Sequence, residues 1–284
     1  MRAVLVDTGG VALARALTIA GSDSGGGAGI QADLKAFARC GVYGTVAITA
    51  VTAQNTRGIS AIHVVPPAIV RAQIEAVVDD IGVDAVKVGM LATAATIEAV
   101  AATLRARLPG VAVVLDPVLT ASAGGELLDP DAVVTLIREL VPLATVLTPN
   151  LPEARALLAA AGRRFEQLAD DLELARALLD LGPGAVVITG GHRSTPRDIY
   201  ADQEGVRELE GARYDTQAVH GSGCTHSAVL AAELARGSSA LQAAATAAAL
   251  AAEAIRSGID ELGHGPGPVD ILAVRRRRAP FDAD

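Results

Sequence analysis

The stretch AVKVGMLATAATIEAVAATLRARLPGVAVVLDPV, residues 85–118, decides the fold. Ala85–Val88 is a short apolar run closed by Gly89-Met90-Leu91. Thr93–Leu108 then repeats apolar residues at helical spacing, and Val111–Leu115 is a second apolar run ending in Asp116-Pro117-Val118. Strand, helix and strand in roughly thirty residues make a βαβ unit, whose two strands run parallel.

The same alternation continues outward in both directions. Upstream, Ala16–Ala20 is a strand that ends in Gly21-Ser22-Asp23, and the segment Ser24–Gly29 leads into a helix from Ile30 to Arg39. Val46–Val51 is a strand followed by Thr52–Thr56, Ala61–Val65 is a short strand, and Pro66-Pro67 opens a helix to about Ile81. Downstream come a helix over Pro130–Leu140, a strand over Thr145–Leu147, helices over Pro152–Ala160 and Asp171–Leu181, and a strand over Ala185–Ile188. A hairpin around Glu204-Gly205 follows, then two helices after Gly223 and Ser239. This pattern predicts an α/β fold: a doubly wound, mainly parallel sheet with helices on both faces. In such a sheet ligands lie beyond the carboxyl ends of the strands. The Gly-, Asp-, Asn- and Gln-bearing segments fall there, after Ala20, Val51, Val88, Leu115, Leu147 and Ile188. Residues 1–15 read as an N-terminal extension and 16–284 as one domain, because no repeat or linker divides them.

Composition narrows the function. Hydrophobic residues are 51% and aromatics only 2%, so the core is aliphatic. Lys and Arg total 24 against 32 Asp and Glu, a net charge of −8, which argues against a nucleic-acid surface. Two cysteines offer no disulfide framework and fit a cytoplasmic setting. No apolar run is long enough to span a membrane, and Met1–Ala14 lacks the pattern of a signal peptide.

The site is read chiefly from His220-Gly-Ser-Gly-Cys-Thr225, where a polar segment runs into a helix. Gly221 and Gly223 permit a bend, and the N–H groups of Ser222, Gly223 and Cys224 then form an anion nest at the helix N-terminus. A Cys224 thiol there is expected to have a lowered pKa and to serve as base or nucleophile; a buried structural Cys is the plain alternative. Gln54 offers donor and acceptor to a nitrogen heterocycle, or caps a turn. Asp33 could orient a hydroxyl, or be a solvated helix residue. Asp116 could hold Mg²⁺ or simply close a turn, and Glu153 could join it while also completing a capping box with Asn150. His192 and His220 are taken as structural, since the histidines show no metal-ligand spacing.

Taken together, Leu17-Thr-Ile-Ala-Gly-Ser-Asp23, Gly26-Gly-Ala-Gly-Ile-Gln-Ala-Asp-Leu-Lys35, Thr49-Ala-Val-Thr-Ala-Gln-Asn-Thr56, Val88-Gly-Met-Leu91, Leu147-Thr-Pro-Asn-Leu-Pro-Glu-Ala154, Gly190-Gly-His192 and the Cys224 loop resemble the hydroxymethylpyrimidine/phosphomethylpyrimidine kinases of thiamine biosynthesis, in the ribokinase superfamily. The resemblance covers about Ala16 to Val269. It implies a cytoplasmic homodimer that uses ATP and Mg²⁺ to phosphorylate a small pyrimidine and then its monophosphate, with no membrane or nucleic-acid partner. Carried over, Gln54, Gly21, Ala28, Met90 and Val118 would line the ring pocket with Asp33 nearby. Asn150, Thr189 and Gly191 would meet ATP, and Asp116 and Glu153 would hold the metal. Gly221, Ser222 and Gly223 would form the anion hole, and Cys224 would stand where related kinases place an Asp base. One departure is Thr189, where the family usually has Lys; Lys35, Arg57, Lys87 or Arg193 could supply that charge. The other is the short segment from Arg193 to Asp198, which implies a reduced lid over the nucleotide. Pyridoxal kinase and a catalytically weak metabolite-binding homologue are the competing functions.

Overall fold

In chain order the elements are β1 (Arg15–Asp23), α1 (Gly29–Arg39), β2 (Tyr43–Asn55), β3 (Gly58–Val64), α2 (Pro67–Asp80), β4 (Ala85–Val88), α3 (Ala94–Arg107), β5 (Ala112–Leu115) and α4 (Pro130–Glu139). There follow β6 (Val146–Leu147), α5 (Leu151–Ala160), α6 (Asp171–Leu179), β7 (Ala185–Ile188), β8 (Arg197–Asp202), β9 (Gly205–Glu210), α7 (Ser222–Ala235) and α8 (Ala240–Arg256). The computed structural model describes residues 12–119, 128, 130–163, 170–190, 197–212 and 214–274.

The helices begin where local chemistry satisfies their free N–H groups. Thr93 accepts the N–H of Thr96 at 3.2 Å, Asp170 accepts those of Leu172 and Glu173, and Ser239 forms a capping box with Gln242. Pro67 occupies the first helical position of α2, where its missing N–H is harmless.

Among the described residues the strands form one nine-stranded sheet in the order β3-β2-β1-β4-β5-β6-β7-β8-β9. The block β2-β1-β4-β5-β6-β7 is parallel, and β3, β8 and β9 add antiparallel edges. β1 pairs with β2 on one side and β4 on the other, so the strand order reverses there. That reversal is the switch point at which an open α/β sheet leaves a crevice for a ligand.

Side chains alternate across the sheet with period two. Leu17, Ile19, Val86, Val88, Val113 and Leu115 pack toward α2–α6, while Ala16, Val114, Val146 and Val187 pack toward α1, α7 and α8. Lys87, between Val86 and Val88, therefore points into the α1/α7 face, and Asp116 follows Val114 onto the same face.

Several boundaries differ from expectation. β1 continues through Gly21-Ser22-Asp23 because β2 runs on beside it, with Ser22 opposite Val51 and Asp23 opposite Thr52. β2 likewise continues to Asn55, since β3 turns back as a hairpin with Gln54 opposite Ile59. Gln54 and Asn55 are thus strand residues rather than a loop beyond the strand. Finally, β1 starts at Arg15, whose guanidinium is hydrogen-bonded to Asp84, so the last residue of the expected extension belongs to the sheet.

Candidate active site

The site begins at Gly221, which caps α7 at φ +80°. A Cβ there would run into the carbonyl oxygen of Gly27, so glycine is required both for the dihedral and for the close approach. The turn hands α7 its first N–H groups. Ser222 donates to the Val219 carbonyl at 3.2 Å and Thr225 to Gly221 at 2.9 Å. The nest expected from Ser222, Gly223 and Cys224 is therefore reduced to Gly223 and Cys224, because Ser222 closes the preceding turn instead.

The glycine segment between β1 and α1 lies against this helix start. Asp23 accepts the N–H groups of Gly25 at 2.7 Å, Gly27 at 3.0 Å and Ala28 at 2.9 Å, and its Oδ2 is 3.2 Å from Nε2 of His220. Burial alone would push the Asp23 carboxyl up, but the hydrogen bonds from His220, Ala28 and Gly25 outweigh it and hold the carboxyl below its ordinary range. His220 is thus the tie between the loop that carries Ala28 and the loop that carries Cys224. Its place just before the bend at Gly221 was the available sequence signal.

The expected ring-pocket residues lie at the switch point. Gly21 faces Met90 so closely that a Cβ would come within 3.0 Å of its Sδ, and Thr49 anchors Met90 by donating to its carbonyl at 2.6 Å. Gln54 is fixed through its backbone, which both donates to and accepts from the Ser24 hydroxyl. Its side-chain oxygen receives the Thr52 hydroxyl at 3.2 Å. Val118 is half-buried in the turn after β5, its N–H bonded to Asp116.

Asp33 is placed differently from expectation. It is fully buried, accepts the Thr18 hydroxyl at 2.6 Å, and grips the Lys87 ammonium at 2.9 and 3.1 Å. An Asp at this position of α1 faces the interior rather than a ligand hydroxyl, because α1 packs on β1 and β2 and the Asp33 side chain reaches Thr18 of β1 and Lys87 of β4. Lys87 is also fully buried, which removes it from the cations that could reach an ATP phosphate. Burial opposes its charge, yet the Asp33 and Asp116 carboxylates overcome that and keep its pKa above the ordinary lysine value. Lys35 is bonded to the Gly26 carbonyl at 2.6 Å. Arg57 is exposed beside the β2–β3 turn, and Arg193 lies outside the described residues.

On the other side, Asp116 receives the Ser227 hydroxyl at 2.9 Å and lies 3.8 Å from Lys87. Glu153 and Asn150 close a reciprocal capping box at 2.9 Å in both directions. Burial and the Asp116 charge push the Glu153 carboxyl up to about 8, against the N–H groups of Asn150 and Leu119. Two buried carboxylates, one acting by its charge on the other, offer hard oxygens that suit Mg²⁺, an ion that takes much of its coordination from water and phosphate. Among the described residues no cluster of three His, Cys, Asp or Glu forms a complete metal cage.

Asn150 and Thr189 are joined by a parallel β-bridge at the ends of β6 and β7, with the Thr189 N–H on the Pro149 carbonyl at 2.9 Å. Gly191 and His192 lie outside the described residues. Gly190 is held by Asp198 at 2.7 Å, and the other Asp198 oxygen is 3.1 Å from Nε2 of His226 on α7. Asp23, Ser227, His226 and Asp198 were not assigned from sequence, for each acts through a partner distant in the chain. Lys87 did carry a signal, being a charge inside an otherwise apolar run.

Cys224 reverses the expectation of a lowered thiol pKa. Burial pushes the thiol up to about 12, with Asp116 and Asp33 adding to the rise, against Lys87 and the Gly29 N–H. The helix N-terminus is favourable to a thiolate, but desolvation between two carboxylates is stronger.

The sequence model described as Phosphomethylpyrimidine kinase matches residues 23–270 of this chain. The chain is 48% identical over 261 residues to the hydroxymethylpyrimidine/phosphomethylpyrimidine kinase of Rhizobium meliloti, covering 89% of this chain and 95% of that relative. It is 46% identical to the thiamine biosynthesis bifunctional protein ThiED of Geobacter sulfurreducens, over 91% of this chain and 52% of that one. Among solved structures, the ADP complex of Bacillus subtilis pyridoxal kinase matches with a TM-score of 0.82 at 39% identity, over 92% of this chain and 98% of its own.

Proposed function

The chain belongs to the phosphomethylpyrimidine kinase family, and from that premise we propose that it transfers the γ-phosphoryl group of ATP to the hydroxymethyl oxygen of 4-amino-5-hydroxymethyl-2-methylpyrimidine, and then to the resulting monophosphate. The product would be the pyrimidine diphosphate used in thiamine biosynthesis. The observation that carries this reading is the meeting of the Cys224-bearing start of α7 with Asp116 at the carboxyl end of β5, where Ser227 donates to the carboxylate at 2.9 Å and the Glu153 carboxyl at the start of α5 feels its charge.

In this reading the ring lies at the switch point, between Gly21, Ala28, Met90 and Val118, with Gln54 on its nitrogen edge. ATP lies along Asn150, Thr189 and Gly191. The substrate oxygen bonds to the γ-phosphorus as the β–γ bridging bond breaks and ADP leaves with the electron pair. Gly221 shapes the turn that aims the N–H groups of Gly223 and Cys224 at the transferring group, where they stabilise charge that develops in the transition state. Cys224 can accept the hydroxyl proton only as the thiolate, so its own proton must first leave to solvent, a loss that the Gly29 N–H directed at its sulfur favours. Asp116 and Glu153 would hold Mg²⁺, which when bound neutralises phosphate charge.

Free cysteines at 40 and 224 support a reducing, cytoplasmic setting. Exposed Tyr43, Val51 and Ile62 along β2 and β3 support a homodimer. No helix of the described residues is long and apolar enough to cross a membrane.

The test is ADP release with ATP and Mg²⁺, offering the hydroxymethylpyrimidine, its monophosphate and pyridoxal separately to the parent and to Cys224→Ala. Turnover of both pyrimidines, reduced at least about a hundredfold in the variant, is expected for loss of a proton acceptor. Turnover of pyridoxal alone would replace this reading with vitamin B6 salvage. Ligand binding without ADP release would replace it with a metabolite-binding role.

A further inference from the structure

Beyond Cys224, helix α7 buries Thr225, His226 and Ser227 and then runs apolar from Ala228 to Ala232. Ser227 is engaged by Asp116 at 2.9 Å. His226 is only 4% exposed, and among the described residues neither of its ring nitrogens has an aligned hydrogen bond. A buried polar ring in that state costs stability that an apolar side chain would not, so packing does not explain it. Its surroundings show where it is directed. Nε2 stands 3.1 Å from Oδ2 of Asp198, close enough for a hydrogen bond but out of line for one. Oδ1 of the same Asp198 accepts the Gly190 N–H at 2.7 Å. Gly190 has no slack, because a Cβ there would run into the backbone of Arg197. The residue before it, Thr189, is bridged to Asn150 and donates its N–H to the Pro149 carbonyl. One carboxylate, at the start of β8, therefore stands between the segment that closes β7 and the first turns of α7.

We propose that His226 is a positioning residue for the nucleotide: through Asp198, its ring holds the Gly190 end of β7 against the helix that carries Gly223 and Cys224. The place where ATP lies is thereby fixed relative to the N–H groups that meet its transferring phosphoryl group. This deepens the kinase reading above and rests on it for the nucleotide only. The contact is out of line in the empty site, and such bonds commonly straighten when the ligand is bound. A packing role needs only the volume of the ring; the proposed role needs an N–H aimed at Asp198.

The experiment compares the parent with His226→Leu, which fills the space without a donor, and with His226→Gln, which keeps an N–H as many bonds from the backbone as Nε2. The pair Asp198→Asn/His226→Leu, which leaves no stranded carboxylate, is read in the same way if the single variant fails to fold. Binding of ADP with Mg²⁺ is measured by calorimetry. Hydrogen exchange of the Gly190 amide is followed by NMR relative to the amides of β1, which report global opening. In His226→Leu the Kd for ADP should rise about tenfold, and Gly190 should exchange about tenfold faster relative to β1, as loss of one bond to a charged group implies. His226→Gln should return both to within about threefold of the parent, a rescue that packing alone would not give. With turnover measured alongside, KM for ATP should rise while KM for the pyrimidine stays within about twofold. Where the parent binds ADP, either readout unchanged in His226→Leu overturns the proposal, and so does a His226→Gln variant as impaired as His226→Leu. If the parent binds no ADP, the kinase reading fails, and the Gly190 exchange ratio still decides whether His226 holds that segment.

Discussion

Gly221 combines a left-handed φ of +80° with a path that leaves no room for a side chain against Gly27. Gly221→Ala should therefore destabilise the protein by about 2–3 kcal/mol, read as a lower urea midpoint at unchanged slope. A midpoint within experimental error of the parent would show that the turn relaxes freely. Thr189 carries the opposite expectation. It stands beside Asn150, where the proposed reading lays ATP, and offers a hydroxyl where a cation would neutralise phosphate. Thr189→Lys should lower KM for ATP about fivefold, the equivalent of roughly 1 kcal/mol for a partly exposed charge pair. An unchanged or higher KM would mean that another group already meets the phosphate. At this same scale the local reading of Cys224 failed: its helix-terminal position was visible in the sequence, while the carboxylates and desolvation around it were not.

At the scale of elements, α5 starts with a residue that serves two ends. Glu153 closes the capping box with Asn150 and stands against Asp116, which together with burial moves its carboxyl from an ordinary 4.5 to about 8. A carboxyl raised in the folded state contributes stability that is fully present below pH 4.5 and lost as the pH rises through 8. Glu153→Gln keeps the accepting oxygen of the cap and removes the titration. In EDTA and without nucleotide, the variant should be more stable than the parent at pH 8, on the order of 4 kcal/mol, and equal to it at pH 4. Its kinase activity should be lost. Equal stability at both pH values would show that the carboxyl is not destabilised. The cap itself was legible from Asn150-Leu-Pro-Glu153, because it spans four consecutive residues. The extension of β2 to Asn55 was not, because it depends on pairing with β3 and on a register shift at Ala53 and Gln54.

For the whole molecule, the sheet separates two apolar clusters, one toward α2–α6 and one toward α1, α7 and α8. If residues 16–284 are one domain, these clusters share β1 and β5 to β8 between them and should melt together. Leu157→Ala in the first cluster and Leu230→Ala in the second should each cost about 2–5 kcal/mol and shift one common thermal transition. Two transitions resolved by calorimetry, each moved by one variant alone, would divide the chain.

By itself the sequence determined the alternation of strands and helices, the placement of glycines and polar residues at strand ends, and the motifs that mark the family, since periodicity, turn chemistry and capping act within a few residues. Only the tertiary structure decided that Asp33 turns inward to Lys87, that Ser222 closes a turn instead of joining the nest, and that Cys224 rests as a thiol. Those outcomes depend on burial and on charges brought together from α1, β4, β5 and α7, and the energy of a charge is set by what surrounds it in space rather than by its neighbours along the chain.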